Sequence, residues 1–300
     1  MPKHGRFTLF PLLAAAALMA GCSESAARCF APDTVLPQRA ATLADPRLGQ
    51  SARDLAEALF DRDLPRATRL LDRDPALAKV GFGAHFDMLV VALSTCDHQA
   101  VDLLLAKGAA PDGVTPGIPL VYALRAEAPW FAERLLRAGA AATPARDATG
   151  PINTAIALNS LDGVRMLLDF HADPNVAERT GNRPLHTALD MERFRIAELL
   201  LDRGGDPWAI DVGGANLATS THTPMLTADA AEAAAQRRLA SRVTKLGWPD
   251  PAPSPREIRV LALAGKWPPA AARAKGAAAV PARVLETIRP NTAPGAKPQP

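Results

Sequence analysis

The stretch GNRPLHTALDMERFRIAELLLDRGGDP, residues 181–207, is a copy of something the chain has already said. Shifting RPLHTAL (183–189) back by 33 residues lands on GPINTAI (150–156), and the same shift carries ELLLDRGGDP onto RMLLDFHADP. A further step of 32 reaches IPLVYAL and RLLRAGAA, one of 31 reaches FDMLVVAL and DLLLAKGAA, and one of 34 reaches ARDLAEAL and RLLDRDPA. The five units share a small residue at Ala58, Ala92, Ala123, Ala155 and Ala188. They also share a leucine pair at Leu70–Leu71, Leu104–Leu105, Leu135–Leu136, Leu167–Leu168 and Leu200–Leu201. Self-similarity at this period marks a stacked repeat.

Each unit reads as two short helices. In the last, Leu185, Ala188 and Leu189 share one helical face, and Ile196, Leu199 and Leu200 share another. Pro184 opens a first helix, and Pro65 and Pro129 open second helices, where a missing N–H costs nothing. Gly108, Gly139 and Gly204 close second helices as left-handed caps. Cys96 and Asn159 stand in the link between the paired helices. Burying a leucine stabilises by about 1.5–3 kcal/mol, and a single unit has nowhere to bury its pair, so the units must stack.

RPLHTA followed by ELLLDRGGDP, with GPINTA and MLLDFHADPN as a second match, resembles the ankyrin repeat, whose signature is T-P-L-H-x-A at about 33 residues. The resemblance implies an all-α helical solenoid of five to six helix-turn-helix repeats with a helical C-terminal cap. Its units fall at about 51–82, 83–113, 114–145, 146–178 and 179–210, with a degenerate repeat or capping helices at 211–247. There Thr223 reads as an N-cap and Pro224 as the first helical residue. A proline-rich break and a short helix follow at 248–267, then an Ala/Pro-rich stretch, 268–300, expected to be a mobile tail. Arg183 replaces the family's Thr, so the usual Thr–His hydrogen bond is lost and a looser turn is expected there.

Upstream, MPKHGRF is basic, TLFPLLAAAALMA is apolar, and LMAGC ends the segment. This is a secretory signal, and it resembles a bacterial lipoprotein signal over 1–21 with Cys22 as the lipidated first residue. Ser23 in the next position implies outer-membrane retention on the periplasmic side, and residues 22–50 form a tether. Simple cleavage and release is the alternative. Cys29 and Cys96, in an oxidising compartment, form either a disulfide stapling the tether to the repeats or two unrelated thiols.

Net charge is +3, falling to +1 without Lys3 and Arg6, and the basic residues are scattered among acidic ones. No stripe suggests nucleic acid, and the chain reads as a monomer. His186 near Asp190 admits two readings, a general base with its carboxylate or a structural histidine of the repeat; the resemblance implies the second. With no nucleophile elbow, phosphate loop or cysteine-pair metal site in the sequence, we expect no enzyme, no cofactor and no metal.

The resemblance instead implies a protein partner, held on the concave side by the inter-repeat fingers and the exposed side of each first helix. On this alignment that side takes in Tyr122, Arg125, Thr154, Ala157, Asn159, Thr187, Asp190 and Met191, with finger residues Arg146, Asp147, Glu178 and Arg179. Tyr122, the one tyrosine, is either a hot spot or a packing residue; Trp130 and Phe131 read as packing between helices. The chain is similar to ankyrin-type lipoproteins that act as immunity proteins against secreted bacterial toxins, and an envelope scaffold is the other class.

Overall fold

Six successive helix pairs stack side by side, and the reason lies in the residues their sequence copies share. In the computed structural model, which describes residues 29–30, 33–145 and 150–291, the pairs are α2 Gln50–Phe60 with α3 Leu64–Arg73, α4 Met88–Ser94 with α5 His98–Ala106, and α6 Ile118–Arg125 with α7 Trp130–Arg137. They continue as α8 Gly150–Ala157 with α9 Leu161–Asp169, α10 Pro184–Asp190 with α11 Phe194–Asp202, and α12 Leu217–His222 with α13 Ala230–Leu246. A one-turn helix, α1 (Arg39–Leu43), precedes them. The first helices form one layer, α2 on α4 on α6 on α8 on α10 on α12, and the second helices the other, with α9 against α11 and α11 against α13.

Leu71, Leu104, Leu135, Leu167 and Leu200, one from each leucine pair, are fully buried, as are Ala58, Ala92, Ala155 and Ala188. The alanines are small for a backbone reason. In three units the chain returns over the alanine, with the N–H of Asp63, Ser160 and Arg193 donating to the carbonyl of Ala58, Ala155 and Ala188 at 2.8, 2.9 and 2.7 Å. That return takes a three-residue link whose middle residue is left-handed: Arg62, Cys96, Asn159 and Glu192 all have φ between 52° and 56°.

The fingers between units are tied to one another by hydrogen bonds. Asp87 caps α4 through Val90 N–H at 3.0 Å and reaches the next finger at Val114 N–H, 2.9 Å. Asp112 accepts from Ala141 N–H at 2.7 Å, Thr143 from Asp173 N–H at 2.9 Å, and Asn175 from Asp206 N–H at 2.7 Å. The first finger also carries a small hairpin, β1 Gly81–Phe82 with β2 Phe86–Asp87. Along the outer layer, Arg134–Asp102, Arg203–Asp169 and Arg242–Asp202 join consecutive second helices at 2.5–2.6 Å.

Two expectations for the C-terminal part are corrected. Thr223 ends α12 instead of starting a helix; the start is Asp229, whose carboxylate accepts from Ala231 and Glu232 N–H, and Gly247 closes α13 in the left-handed region. Pro224 therefore lies in a longer loop, held by Glu192, which accepts from Leu226 and Thr227 N–H at 2.5 and 3.0 Å. The stretch after 268 is not a free tail through 291. After α14 (Pro255–Leu263), it forms α15 (Ala270–Ala274) and α16 (Ala282–Asn291), and α16 packs on α14.

Val284 and Ile288, one turn apart on α16, are fully buried. Val284 reaches the finger at Gly181, where φ is +82° and a Cβ would stand 2.7 Å from the valine methyl. Trp208, Trp248 and Trp267 close the same end: the first two stack with centroids 4.8 Å apart, and Trp267 Nε1 donates to Trp208 carbonyl at 3.1 Å. Residues 292–300 lie outside the described residues, as do the signal segment and Cys22.

Candidate partner-binding face

His186 sits at the start of α10 with 1 % of its surface exposed. Its Nδ1 accepts from Arg183 N–H at 3.1 Å, and Nε2 lies 3.2 Å from the Ala209 carbonyl, which fixes Nε2 as the protonated nitrogen. Burial holds its pKa below the ordinary histidine value, so the ring is neutral and both nitrogens are committed to backbone. The expected loosening of this turn is corrected: main chain takes over the bond the missing Thr would make. Arg183 instead reaches Asn175 and Asp206, each at 3.4 Å. A ring so placed has no free nitrogen for proton transfer.

The first-helix layer divides into a covered part and an open part. Over α6, Tyr122 and Arg125 meet the protein's own N-terminal segment. Tyr122 Oη donates to the Val35 carbonyl at 2.8 Å, and Arg125 bonds Asp33 at 2.7 Å and Thr34 Oγ1 at 3.2 Å. As folded, these two candidates make an internal contact, and burial pushes the Tyr122 phenol pKa up. The segment is pinned beside them. Phe30 pairs with Ala126 in an antiparallel bridge, Glu127 N–H donates to the Cys29 carbonyl at 2.8 Å, and Cys29 is disulfide-bonded to Cys96.

Over α8 and α10 the candidates are accessible. Ala157, Asn159, Glu178, Arg179, Asp190 and Met191 are exposed, while Thr154 and Thr187 are half-buried, the latter donating to Asn182 at 3.2 Å. They form a band and not one cluster. Glu178 and Arg179 belong to the finger before α10, with Glu178 accepting from Asn153 at 3.2 Å. Asn159 and Met191 belong to the links at the other end of the first helices, a helix length of about 10 Å away. Asp190 lies between, its carboxyl pKa raised by partial burial against the pull of His186. Arg146 and Asp147 lie outside the described residues.

Trp130 is stacked on His98 with centroids 4.1 Å apart, and Phe131 is fully buried, both as packing residues of α7. Of the two readings of Cys29 and Cys96 the structure has the disulfide staple, but the sequence reading missed that the stapled segment lies along α6. Its only signals were Cys29 and the hydrophobic Phe30.

The comparisons agree with this architecture. Residues 120–211 match the family model for ankyrin repeats in 3 copies. Over 58 residues the chain is 41% identical to cyclin-dependent kinase 4 inhibitor B of Rattus norvegicus and to the same-named protein of Mus musculus. That match takes in 19% of this chain and 44% of either relative, so the chain spans under half the length of the curated relatives it matches. The ankyrin-repeat domain of Bcl-3, a member of the IkappaB family, superposes with a TM-score of 0.50 at 18% identity, covering 79% of this chain and 97% of that one. The protein carries an ankyrin-repeat domain, a helical solenoid of the kind used for protein–protein interaction.

Proposed function

We propose that this protein is a non-enzymatic binding module that holds a partner protein on the first-helix layer over α8 and α10, together with the finger at 176–182. One observation carries the reading. In this stretch the stack is at its most regular, yet its charged and amide side chains, Arg179, Asp190 and Asn159, point out of the packed layers and are exposed. Over α6, by contrast, the same layer is engaged by the N-terminal segment, and α16 touches the finger only at the buried Gly181, through Val284. The lone histidine of the repeat signature supports the non-enzymatic reading, since its two nitrogens are both spent on backbone.

The finer reading adds place and partner. The basic and apolar residues before Cys22 support export with a lipid on that cysteine, facing the periplasm from the outer membrane. Several acyl chains would hold it there, at about 0.8 kcal/mol per buried methylene. In that setting the protein would be an immunity protein occluding a secreted toxin. An envelope scaffold is the second reading, and the exposed band serves either.

The test is recovery of a partner from envelope extract, followed by mapping of its footprint. Expected is one protein recovered repeatedly, lost with Asp190→Arg, and protecting α8, α10 and 176–182 from amide exchange. Repeated recovery of nothing, or a footprint on the second helices, would contradict the reading. Labelled palmitate incorporated by the full chain and not by Cys22→Ala tests the anchor separately, and relief of toxicity on co-expression separates the immunity reading from the scaffold.

A further inference from the structure

We propose that the face over α6 is built to receive an extended acidic protein segment, and that residues 29–30 and 33–36 are its resident occupant, held there by the Cys29–Cys96 disulfide. This rests on the reading of the first-helix layer as the partner face. The first observation is a departure from the repeat. Four units close their helix pair with a three-residue link whose middle residue is left-handed, at Arg62, Cys96, Asn159 and Glu192. The third unit has four link residues, 126–129, between α6 and α7. Pro129 disfavours helical backbone at the residue before it, and Ala126 is extended, with φ −72° and ψ 142°. An extended link leaves main-chain groups unpaired at the edge of the layer. The segment at 29–30 satisfies them, as a strand does when it adds to an edge.

The second observation is the chemistry of the seat. Arg125 offers a guanidinium to a carboxylate, here Asp33, and Tyr122 offers a hydroxyl proton to a main-chain carbonyl, here Val35. Glu127 offers an N–H to a second main-chain carbonyl. An extended chain with an acidic side chain three residues beyond an apolar one meets all of them. The present occupant buries a side chain at each end and keeps two exposed between them. Phe30 and Pro37 are buried, whereas Val35 is 77% exposed and the Asp33 side chain 75% exposed. The contacts between the ends are hydrogen bonds and an ion pair at the surface, which another chain of the same chemistry can make in its place.

The disulfide decides which chain wins. The segment is joined to the stack through residues 37–50 in either state; the closed disulfide ties its other end as well, which raises its effective concentration at the seat further above that of a free competitor. Both sulfur-bearing residues are only partly buried, so a dithiol reductant has access. A thiolate of the reductant attacks one sulfur and the other leaves as the thiolate of its cysteine. The reductant's second thiolate then attacks its own first sulfur in the mixed disulfide and expels the remaining protein cysteine as a thiolate, so that the cystine gains two electrons and two protons and the reductant leaves as its cyclic disulfide. Only the bridge of Phe30 to Ala126 and the Glu127 N–H to the Cys29 carbonyl then hold the N-terminal end of the segment.

The experiment uses the full chain and a fluorescent peptide copying residues 29–37 with serine in place of the cysteine. Anisotropy is read with oxidised protein, with dithiol-treated protein, and with Cys29→Ser/Phe30→Ala, which removes both side-chain anchors at the N-terminal end of the segment; melting curves confirm that each is folded. The expected result is no binding to the oxidised form, binding to the reduced form, tighter binding to the double variant, and at least a tenfold loss when Arg125→Glu is added. The single tyrosine, isotopically labelled, should shift its ring signal on reduction and return on adding peptide. Equal binding to oxidised and reduced protein, absence of binding to the folded double variant, or indifference to Arg125→Glu would each overturn the proposal. A partner still captured through α8 and α10 in that case would show that the wider reading survives and the α6 seat does not.

Discussion

The third and fifth units have the same frame and opposite fates. Both bury the alanine and leucine that define the repeat, Ala123 with Leu135 and Ala188 with Leu200. The fifth closes on itself: Glu192 is left-handed, and Arg193 N–H returns to the Ala188 carbonyl at 2.7 Å. The third does not, and a segment from the far N-terminus completes it, at Ala126 and Glu127. The lesson is that the core residues of a repeat set the stack, while the link residues decide which face of a unit remains open. One extra residue and a proline turn an accessible surface into an occupied one.

The largest effects should not tell the two units apart. Leu135→Ala and Leu200→Ala each remove a fully buried side chain and should each cost about 2–5 kcal/mol, read by urea unfolding. A much smaller loss for Leu135 would mean that the third unit is not part of the continuous core. His186 sharpens the contrast, because the third unit has Val121 at the same position and no such anchor. Removing its ring by His186→Ala leaves Arg183 N–H and the Ala209 carbonyl unmatched, at about 1–3 kcal/mol for each group left buried.

The same ring makes stability depend on pH. Its folded pKa lies below the ordinary value of about 6.5. In the window just under that value the unfolded chain therefore holds a proton that the folded chain does not. Stability should fall as pH falls from about 6.5 toward the folded pKa, and His186→Ala should flatten that slope. An unchanged slope in the variant would mean that the titrating group is elsewhere.

Smaller still is the link itself. Asn159→Ala puts a less tolerant side chain at φ +52° and should cost about 1 kcal/mol, whereas Glu127→Ala, in the unit without a left-handed residue, should stay within about 0.5 kcal/mol. Equal costs would erase the distinction drawn between the links. Smallest is the outer ladder: Arg203→Ala breaks an ion pair with Asp169 whose two side chains are 35% and 55% exposed, and should cost about 0–1 kcal/mol, less in high salt.

The stack was readable because its signal recurs. The alanines, the leucine pairs and the closing glycines all repeat, and each has one physical job wherever it falls. His186 was readable for the same reason, through the unit it belongs to. The occupant of α6 was not, since a short extended segment carries no period and its anchor is a pairing between residues 67 apart in sequence. The contacts of Tyr122 and Arg125 with Val35, Thr34 and Asp33 were consequently not foreseen. The C-terminal helices were hidden by composition. Alanine and proline after 268 suggest a solvated chain, and only Val284 and Ile288, four residues apart, mark a buried helical face. The start of α13 was displaced because Thr223–Pro224 and Asp229 are both good N-terminal signals, and the docking of the loop onto Glu192 selects the second.

One layer divides into an occupied part over α6 and a part over α8 and α10 whose candidate residues are exposed. Amide hydrogen exchange of the oxidised protein, alone and with a partner recovered from envelope extract, measures that division directly. We predict new protection confined to α8, α10 and residues 176–182, with 120–127 unchanged. Protection that falls on α3, α5, α9 and α11, with the first helices untouched, would contradict it.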